Sequence, residues 1–381
     1  MIDTNRIKID SDVLKWAIKE SGRQESDVLT KFPKIMKWME EREGMLPTFR
    51  QVEELSKYLR IPLGYFFLSF PPKKHKLNAD FRSINNVFPQ ASRNLKDTII
   101  DMSQKQDWLA QYRQELGYEY LEINEKFNKL YDTGMNYYDV AKIIVNLLDI
   151  KYKYVEKMRD SSEYYNYYRK TMEKLGISVF QNGVVGNNTH RKLDIKEFRA
   201  FAMIDKVAPL IFINSCDSAT GKVFSIVHEF IHILLGQDDI INENIKNESY
   251  INKITAEILA PKEYLHEHWN GNVNYIHEIE KLSVKLKVSR QMIALRLMDI
   301  GLISKEQYIN IVKLTHNDIK KKNTSGGNYY NNLNSKLSEN FTKDVISSVE
   351  SSNISYTEGF RLLGNIKANA YDVLKEKSYE F

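Results

Sequence analysis

The sequence predicts a predominantly helical α+β fold in which one small sheet is packed among helices. Three observations support this prediction. Apolar residues recur at helical spacing through most of the 381 residues, and three β-rich runs separated by turn residues lie between positions 177 and 214. Gly and Pro are scarce, at 16 and 8 residues, while 42% of the chain is hydrophobic and 28% is charged. These proportions are typical of an ordinary folded, helix-rich protein.

Length, cysteine content and hydropathy narrow the class of protein further. A chain of this length usually forms two or three domains, because single hydrophobic cores stop growing at about 250–300 residues. One cysteine, Cys216, excludes an internal disulfide framework, and no apolar stretch approaches the roughly 18 residues of a membrane span. The amino-terminal segment is charged and has no signal-peptide core, so we expect a cytoplasmic protein without a membrane partner. The small net charge of +5 permits binding to nucleic acid but does not argue for it.

Residues 1–72 are predicted to form a bundle of short helices. The segments DVLKWAIKESG, SDVLTKF, PKIMKWMEEREG and TFRQVEELSKYLR carry apolar residues at helical spacing, and Thr48 is placed to cap the last of them. The aromatic run GYFFLSF closes the bundle, and Pro71-Pro72 ends it. A helical linker region is expected to follow over residues 73–155.

The next region, residues 156–265, is predicted to combine the small sheet with three helices. EYYNYYRKTMEKLG predicts a helix that ends at Gly176, and ISVFQNG, FRAFAMID and APLIFIN supply the strands. GKVFSIVHEFIHILLG is apolar on nearly every face, so it must form a buried helix, with Gly236 at its end. ESYINKITAEILAP predicts the following helix, which Pro261 stops.

Helices are predicted through the rest of the chain as well. Residues 266–322 form a helical extension in this interpretation, and residues 323–381 form a carboxy-terminal helical segment. The Gly-containing stretch NTSGGN at 323–328 is the candidate linker between them. We find no internal repeat, so a solenoid or other repeat architecture is not expected.

The buried helix carries the motif His228-Glu229-Phe230-Ile231-His232. Histidines at positions i and i+4 project from one face of a helix, close enough for both imidazoles to bind one tetrahedral zinc ion. Glu229 lies beside the open position of such a metal, where it can take a proton from water and pass it to a leaving amine. The pattern therefore predicts a zinc-dependent peptidase with Glu229 as the catalytic base. The alternative is a pair of core histidines beside a structural glutamate. It does not explain why two imidazoles and a carboxylate are desolvated on a buried, otherwise apolar helix.

A catalytic zinc ion needs a third protein ligand. In the metzincin extension of the motif a glycine and a further ligand follow, but those positions here hold Leu235 and Asp238. The ligand is therefore expected on the next helix, as in glutamate-type zincins. Glu248 could bind zinc there while Asn252, one turn later, accepts a hydrogen bond from a ligating histidine. Glu257 is the competitor on nearly the opposite helix face, and we favour Glu248 because Asn252 accompanies it.

Three segments around the motif resemble the ImmA/IrrE-type metallopeptidase family, namely FRAFAMIDKVAPLIFIN, SATGKVFSIVHEFIHILLG and ESYINKITAEILAP. In that family a strand pair precedes the HExxH helix, and a helix with Glu and Asn follows it. The resemblance extends over about residues 1–320, with its specific motifs between 198 and 261. It implies a zincin-like domain with a Zn²⁺ cofactor. The two motif histidines and Glu248 would be the zinc ligands, and Glu229 would be the general base.

Members of this family are similar in cleaving helix-turn-helix repressors. The resemblance therefore implies a repressor, or an antitoxin-like regulator, as the protein substrate. FRAFAMID would then form an edge strand that pairs with an extended substrate segment through main-chain hydrogen bonds. Phe198, Arg199 and Phe201 are the residues of this strand that we expect at the substrate.

The amino-terminal bundle resembles the helix-turn-helix module, of the XRE-like kind, that is often fused ahead of this peptidase type. Trp38, the pair Pro47-Thr48 and Leu55 fall where that module has its recurring residues, and DFRS at 80–83 matches its usual exit. DNA binding is the less favoured role of the bundle, because its exposed faces carry acidic residues that repel phosphates. Interaction with protein, or a structural role, is favoured instead.

Three hypotheses for function follow, and all three share the zinc site. The first is a cytoplasmic zinc endopeptidase that cleaves a protein regulator and thereby relieves repression. The second is a DNA-binding transcriptional regulator in which a peptidase-like domain serves as a sensor. The third is an interaction protein of the toxin–antitoxin kind that cleaves nothing. The first hypothesis is the leading one.

Overall fold

The computed structural model describes residues 6–21, 23–40, 46–59, 61, 63–71, 91–236, 245–271, 274–316 and 329–379. The chain divides into two compact units, residues 1–97 and 98–381. The finer division into five regions stays a prediction. The candidate linker at 323–328 and the DFRS segment at 80–83 lie outside the described residues.

Unit 1, residues 1–97, is a bundle of short helices around one apolar core. Its helices are α1 (Ser11–Glu20), α2 (Glu25–Lys31), α3 (Ile35–Met39) and α4 (Phe49–Leu59), followed by a 3-10 helix at Leu63–Phe67. These elements confirm the four predicted helices. The cap of α4 is reciprocal, because the Gln51 N–H donates to Thr48 Oγ1 at 3.3 Å and the Thr48 N–H donates to Gln51 Oε1 at 2.9 Å.

Unit 2, residues 98–381, contains the sheet and most of the helices. The helices from residue 93 onward are α5 (Arg93–Glu115), α6 (Glu122–Leu130), α7 (Tyr137–Leu147), α8 (Tyr152–Val155), α9 (Ser161–Lys174), α10 (Ala219–Leu235), α11 (Ile245–Leu259), α12 (Lys262–His268), α13 (Tyr275–Leu286), α14 (Arg290–Asp299), α15 (Lys305–His316), α16 (Tyr329–Lys336), α17 (Glu339–Glu350), α18 (Tyr356–Leu362) and α19 (Ala368–Tyr379). The prediction of a mainly helical fold with a small sheet is confirmed. Among the described helices, none is long and apolar enough to cross a membrane.

The sheet of unit 2 has three strands in the order β1-β5-β4. β1 (Ser178–Asn182) runs parallel to β5 (Leu210–Asn214), and β4 (Ala200–Met203) runs antiparallel to β5. All five residues of β5 are buried, as expected for a central strand covered on both faces. The three predicted β-rich runs are thus confirmed. A hairpin of β2 (Val184–Val185) and β3 (Asn188–Lys192), which the sequence analysis did not predict, follows β1 directly.

Helix α10 packs against α9, α11, β4 and β5, which explains why it is apolar on nearly every face. Ser218 caps its start, since the Gly221 N–H donates to Ser218 Oγ at 3.0 Å. A Cβ at position 221 would lie against the Asp217 carboxylate and displace it, so glycine leaves room for that carboxylate at the first turn. At the other end, Gly236 is left-handed, with φ 58°, which confirms the predicted helix end.

Candidate metal centre

Three side chains from two packed helices converge at one point in unit 2. His228 Nε2 lies 3.2 Å from His232 Nε2, both on α10. The carboxylate of Glu248, on α11, lies 3.2 Å from His228 Nε2 and 3.6 Å from His232 Nε2. These three residues are the one group of His, Cys, Asp and Glu side chains within the described part of the chain that is close enough to hold a metal ion.

The spacing of the three atoms fits a tetrahedral metal. Zinc binds histidine nitrogen and carboxylate oxygen at about 2.0–2.1 Å, so two ligand atoms on a tetrahedron around it lie about 3.3 Å apart. The observed separations of 3.2–3.6 Å match that edge. Two imidazoles and one carboxylate are also the donor set of catalytic zinc sites that keep one position open. The residues present therefore fit a zinc ion.

Asn252 lies one turn after Glu248 on α11 and contacts the same group. Its side-chain amide donates to Glu248 Oε1 at 3.3 Å, and its hydrogen bond with His228 helps to raise the pKa of that ring. The Nδ1 atom of His228 is buried and has no hydrogen-bond partner among the described residues. Asn252 therefore orients the carboxylate of the group, which is the kind of outer contact that metal ligands require.

The charges of the site favour an ionised carboxylate. Burial lowers the pKa of His228, but the hydrogen bond to Glu248 and the charges of Glu229 and Glu248 outweigh burial and raise it. Hydrogen bonds from His228 and then His232 hold the pKa of Glu248 far below its ordinary value. The Glu248 side chain is 52% exposed, so a cation can reach this negative group from solvent.

Glu229 is partly buried directly beside the converging ligand atoms. Burial raises the pKa of its carboxyl, while the charges of His228 and His232 and a hydrogen bond from the Ala202 N–H oppose that rise. A carboxylate whose pKa is raised toward neutrality can both accept and release a proton during a reaction. The arrangement thus places a proton carrier next to the candidate metal position.

Glu257, the competing ligand, serves a different part of the fold. Its buried carboxylate forms an ion pair with buried Arg296 of α14, and its Oε1 accepts a hydrogen bond from the Lys262 N–H at 3.0 Å. It is not a member of the group that could hold a metal in the described chain. Glu257 therefore joins the ends of α11, α12 and α14.

The strand β4 forms one edge of the sheet and packs against α10. The Asn214 N–H donates to the Arg199 carbonyl at 2.8 Å, which fixes the alternation of hydrogen bonds between β4 and β5. The backbone groups of Arg199 and Phe201 consequently face β5. The backbone groups of Ala200 and Ala202 face the open edge, where the Ala202 N–H meets the carboxylate of Glu229.

The side chains of the three predicted substrate residues contact the fold itself. Phe198 and Phe201 are buried, and the Phe201 ring stacks on Phe212 with ring centroids 5.1 Å apart. Arg199 donates to the Asp217 carboxylate at 3.1 Å, at the start of α10. The sequence analysis did not predict this contact between Arg199 and Asp217. The local signal for it is the Asp-Ser pair just before the predicted helix.

The segment that carries the site matches a known peptidase family. The helix-borne histidine pair, the carboxylate and the small sheet are features of a metallopeptidase-like domain. Residues 172–298 match the family model of the IrrE N-terminal-like domain, peptidase family M78, which supports the ImmA/IrrE resemblance and points to a peptidase. The chain matches no curated protein and no solved structure.

Proposed function

We propose that this protein is a zinc-dependent endopeptidase. The observation that carries the proposal is the convergence of His228, His232 and Glu248 at separations of 3.2–3.6 Å, with Glu229 beside them. The family match supports it, because residues 172–298 include every one of these side chains. The two histidines and Glu248 would hold the zinc ion, and Glu229 would act as the general base.

In this proposal the chemistry is divided between the ion and Glu229. When bound, zinc would supply a Lewis acid that polarises the scissile carbonyl and lowers the pKa of water to about 7. Glu229 takes the proton of the attacking water and then gives it to the leaving amine. Its raised pKa suits both steps, because a strongly acidic carboxyl would accept the proton poorly. Asn252 keeps the Glu248 carboxylate oriented throughout.

The substrate would bind as an extended segment along the open edge of β4. Ala200 and Ala202 present their backbone groups there, and the Ala202 N–H lies against Glu229, so the edge and the base adjoin each other. Strand addition gives affinity through main-chain hydrogen bonds and tolerates varied side chains. Phe198, Arg199 and Phe201 would act by positioning this edge, since their side chains contact the core and the start of α10.

The proposed substrate class is a protein regulator, namely a helix-turn-helix repressor or an antitoxin-like protein whose cleavage relieves repression. This part of the proposal rests on the resemblance of the motifs at 198–261 and on the match of 172–298 to the family. A Glu229→Gln variant is expected to retain zinc and keep its substrate bound. A protein that co-purifies with this variant should be cut by the wild-type enzyme, and an intact co-purified protein would contradict the assignment.

Replacement of Glu229 by Gln also tests the catalytic step directly. We expect turnover to fall by about 10²–10⁴-fold while the zinc content stays that of the wild type, because only the proton carrier is lost. Glu267→Gln, at an exposed glutamate of α12, is the matched control and should leave turnover and zinc unchanged. Full cleavage by Glu229→Gln would sink the proposed role of this residue.

For unit 1 we propose interaction with protein rather than with DNA. Helix α3 spans five residues, of which Ile35 and Trp38 are buried, so it offers little surface for contacts with base edges. A DNA-binding protein shows affinity that falls steeply with salt concentration. Titration of the full-length chain with duplex DNA should show no such dependence, and a steep salt slope would instead support the DNA-bound regulator.

A further inference from the structure

A second site lies away from the metal centre, in a cavity of about 40 Å³ beneath the carboxy-terminal helices. Its walls come from α5, β1, the turn of the β2–β3 hairpin, the end of α16 and the turn after α18. A buried water needs about 10–15 Å³ of such space, so the cavity accommodates about three oxygen-sized atoms, and because it is open to solvent on one side a fourth can lie at its mouth. None of the residues around it belongs to the candidate metal group.

The first polar group at this cavity is the ammonium of Lys105. The residue is 3% exposed, and burial lowers its pKa. An ammonium has three N–H donors, and Asp101 is its one hydrogen-bond partner among the described residues. A buried cation costs several kcal/mol unless its donors are satisfied. Lys105 therefore has donors to spare at the wall of this partly open cavity.

Two further groups at the cavity also have unused hydrogen-bonding capacity. Lys336, at the end of α16, is half-buried, its pKa is lowered by burial, and no described residue pairs with its ammonium. Gln181 on β1 donates its amide N–H to the Ser335 carbonyl at 2.9 Å, which fixes the orientation of the amide. Its Oε1 atom is buried with no partner within the described chain. The described walls of the cavity thus include two ammonium groups and the Gln181 acceptor, and the one carboxylate among them, that of Asp101, is paired with Lys105.

The walls of the cavity are tied to one another, so these groups are held in place. The Asn187 amide donates to the Gly364 carbonyl at 2.7 Å and joins the hairpin to the carboxy-terminal turn. Arg361 also lies near Lys105, and it pairs with Glu358 at 2.6 Å. Among these five described groups, the two carboxylates of Asp101 and Glu358 leave one net positive charge from Lys105, Lys336 and Arg361.

We propose that this cavity binds a small oxyanion of the phosphate class that carries a protonated oxygen. Lys105 and Lys336 donate to its anionic oxygens, and its protonated oxygen donates to Gln181 Oε1. Phosphate near neutral pH has both kinds of oxygen. Sulfate has the same shape and no proton, so it leaves the Gln181 acceptor unpaired, and a site with a buried unpaired polar group rejects such an analogue. The bound anion would fasten α16 and the carboxy-terminal turn to α5 and β1, independently of zinc and of peptidase activity.

The test is a thermal-shift and calorimetric titration of the full-length protein with phosphate, sulfate and chloride at equal ionic strength. Phosphate is expected to raise the melting temperature and bind measurably, sulfate to do so more weakly, and chloride not at all. A phenyl phosphate titration near pH 5, below the second pKa of a phosphomonoester at about 6, tells free phosphate from a monoester that keeps its proton. Binding of either protonated phosphate compound supports the site. Equal effects of phosphate and sulfate, or no effect of any phosphate compound, would overturn the proposal.

Variants make this test specific to the cavity. Lys336→Met should weaken phosphate binding about tenfold, since one charge-assisted hydrogen bond is lost, and it spares the core because Lys336 is half-buried at the surface. Gln181→Met should remove the preference for phosphate over sulfate. Lys367→Met, at an exposed lysine of the same carboxy-terminal segment, is the matched control and should change neither. Undiminished phosphate binding by Lys336→Met would contradict the assignment.

Discussion

The two ends of α11 place a glutamate in opposite surroundings. Near its start, Glu248 is about half exposed and faces two histidines. Nine residues later, Glu257 is buried and paired with Arg296. Arginine stays protonated and keeps its carboxylate, whereas histidines can lose their protons and share the carboxylate with a metal. The partner of each glutamate, rather than the glutamate itself, thus separates the proposed metal ligand from the structural ion pair.

Removal of the exposed glutamate should give the largest effect. Glu248→Ala takes away one of the three proposed zinc ligands, so we expect the proposed peptidase activity to fall below detection. The fold should survive, because about half of this side chain faces solvent. Cleavage assays measure the activity, and circular dichroism checks that the fold is retained. Wild-type turnover by a folded Glu248→Ala protein would contradict the proposed role of Glu248.

The buried glutamate should show the reverse result. Glu257→Gln leaves the guanidinium of Arg296 buried without its counter-charge, which costs about 3–5 kcal/mol in the free energy of unfolding. The folded fraction should still cleave substrate at the wild-type rate per molecule. Urea unfolding measures the first quantity and turnover per folded chain the second. Normal stability combined with lost turnover would assign the role of third zinc ligand to Glu257 instead.

A smaller effect is expected at the residue that orients Glu248. Asn252→Ala removes the amide that donates to Glu248 Oε1, and loss of such outer contacts weakens metal affinity by about 10–100-fold. Competition with a chelator of known zinc affinity measures the change. Lys253→Ala, at the exposed neighbouring position, is the control. An unchanged zinc affinity in Asn252→Ala would show that Glu248 needs no orienting partner.

The smallest effect on activity is expected on β4. Some backbone groups of this strand face the open edge beside the candidate site, and others face β5. Ala200→Pro removes an N–H that faces the open edge, and loss of one hydrogen bond to the substrate should lower kcat/KM about 3–10-fold. Phe201→Pro removes an N–H that faces β5 and should lower stability instead. Thermal melting and kinetics on both variants separate these outcomes. Equal kinetics for Ala200→Pro and wild type would argue against substrate pairing at this edge.

Local signals in the sequence were sufficient for most of the fold. Helix α10 is bounded by a capping serine and a left-handed glycine, and both positions are visible in the sequence as Ser218 and Gly236. The β2–β3 hairpin was missed because the side chains of β3 are mostly exposed and carry no buried alternation. Local patterns thus predict elements that bury apolar faces and overlook those that do not.

The candidate site was predictable only as far as contacts along one helix reach. The spacing of His228 and His232 places both rings on one face, and the structure brings them together as that spacing requires. Asn252 on the same helix was enough to favour Glu248 over Glu257, but the role of Glu257 depends on Arg296, which lies on a helix far along the chain. The hydrogen-bond register of β4 likewise depends on β5, so the outward-facing Ala200 and Ala202 could not be identified from one strand alone.

The most direct test of the central claim is the zinc content of three freshly purified proteins measured side by side. We expect about one zinc ion per chain in the wild type and in Glu257→Gln, and close to none in Glu248→Ala. Zinc that stays with Glu248→Ala and leaves Glu257→Gln would exchange the roles of the two glutamates. A wild-type protein without zinc would contradict the proposed metal centre altogether.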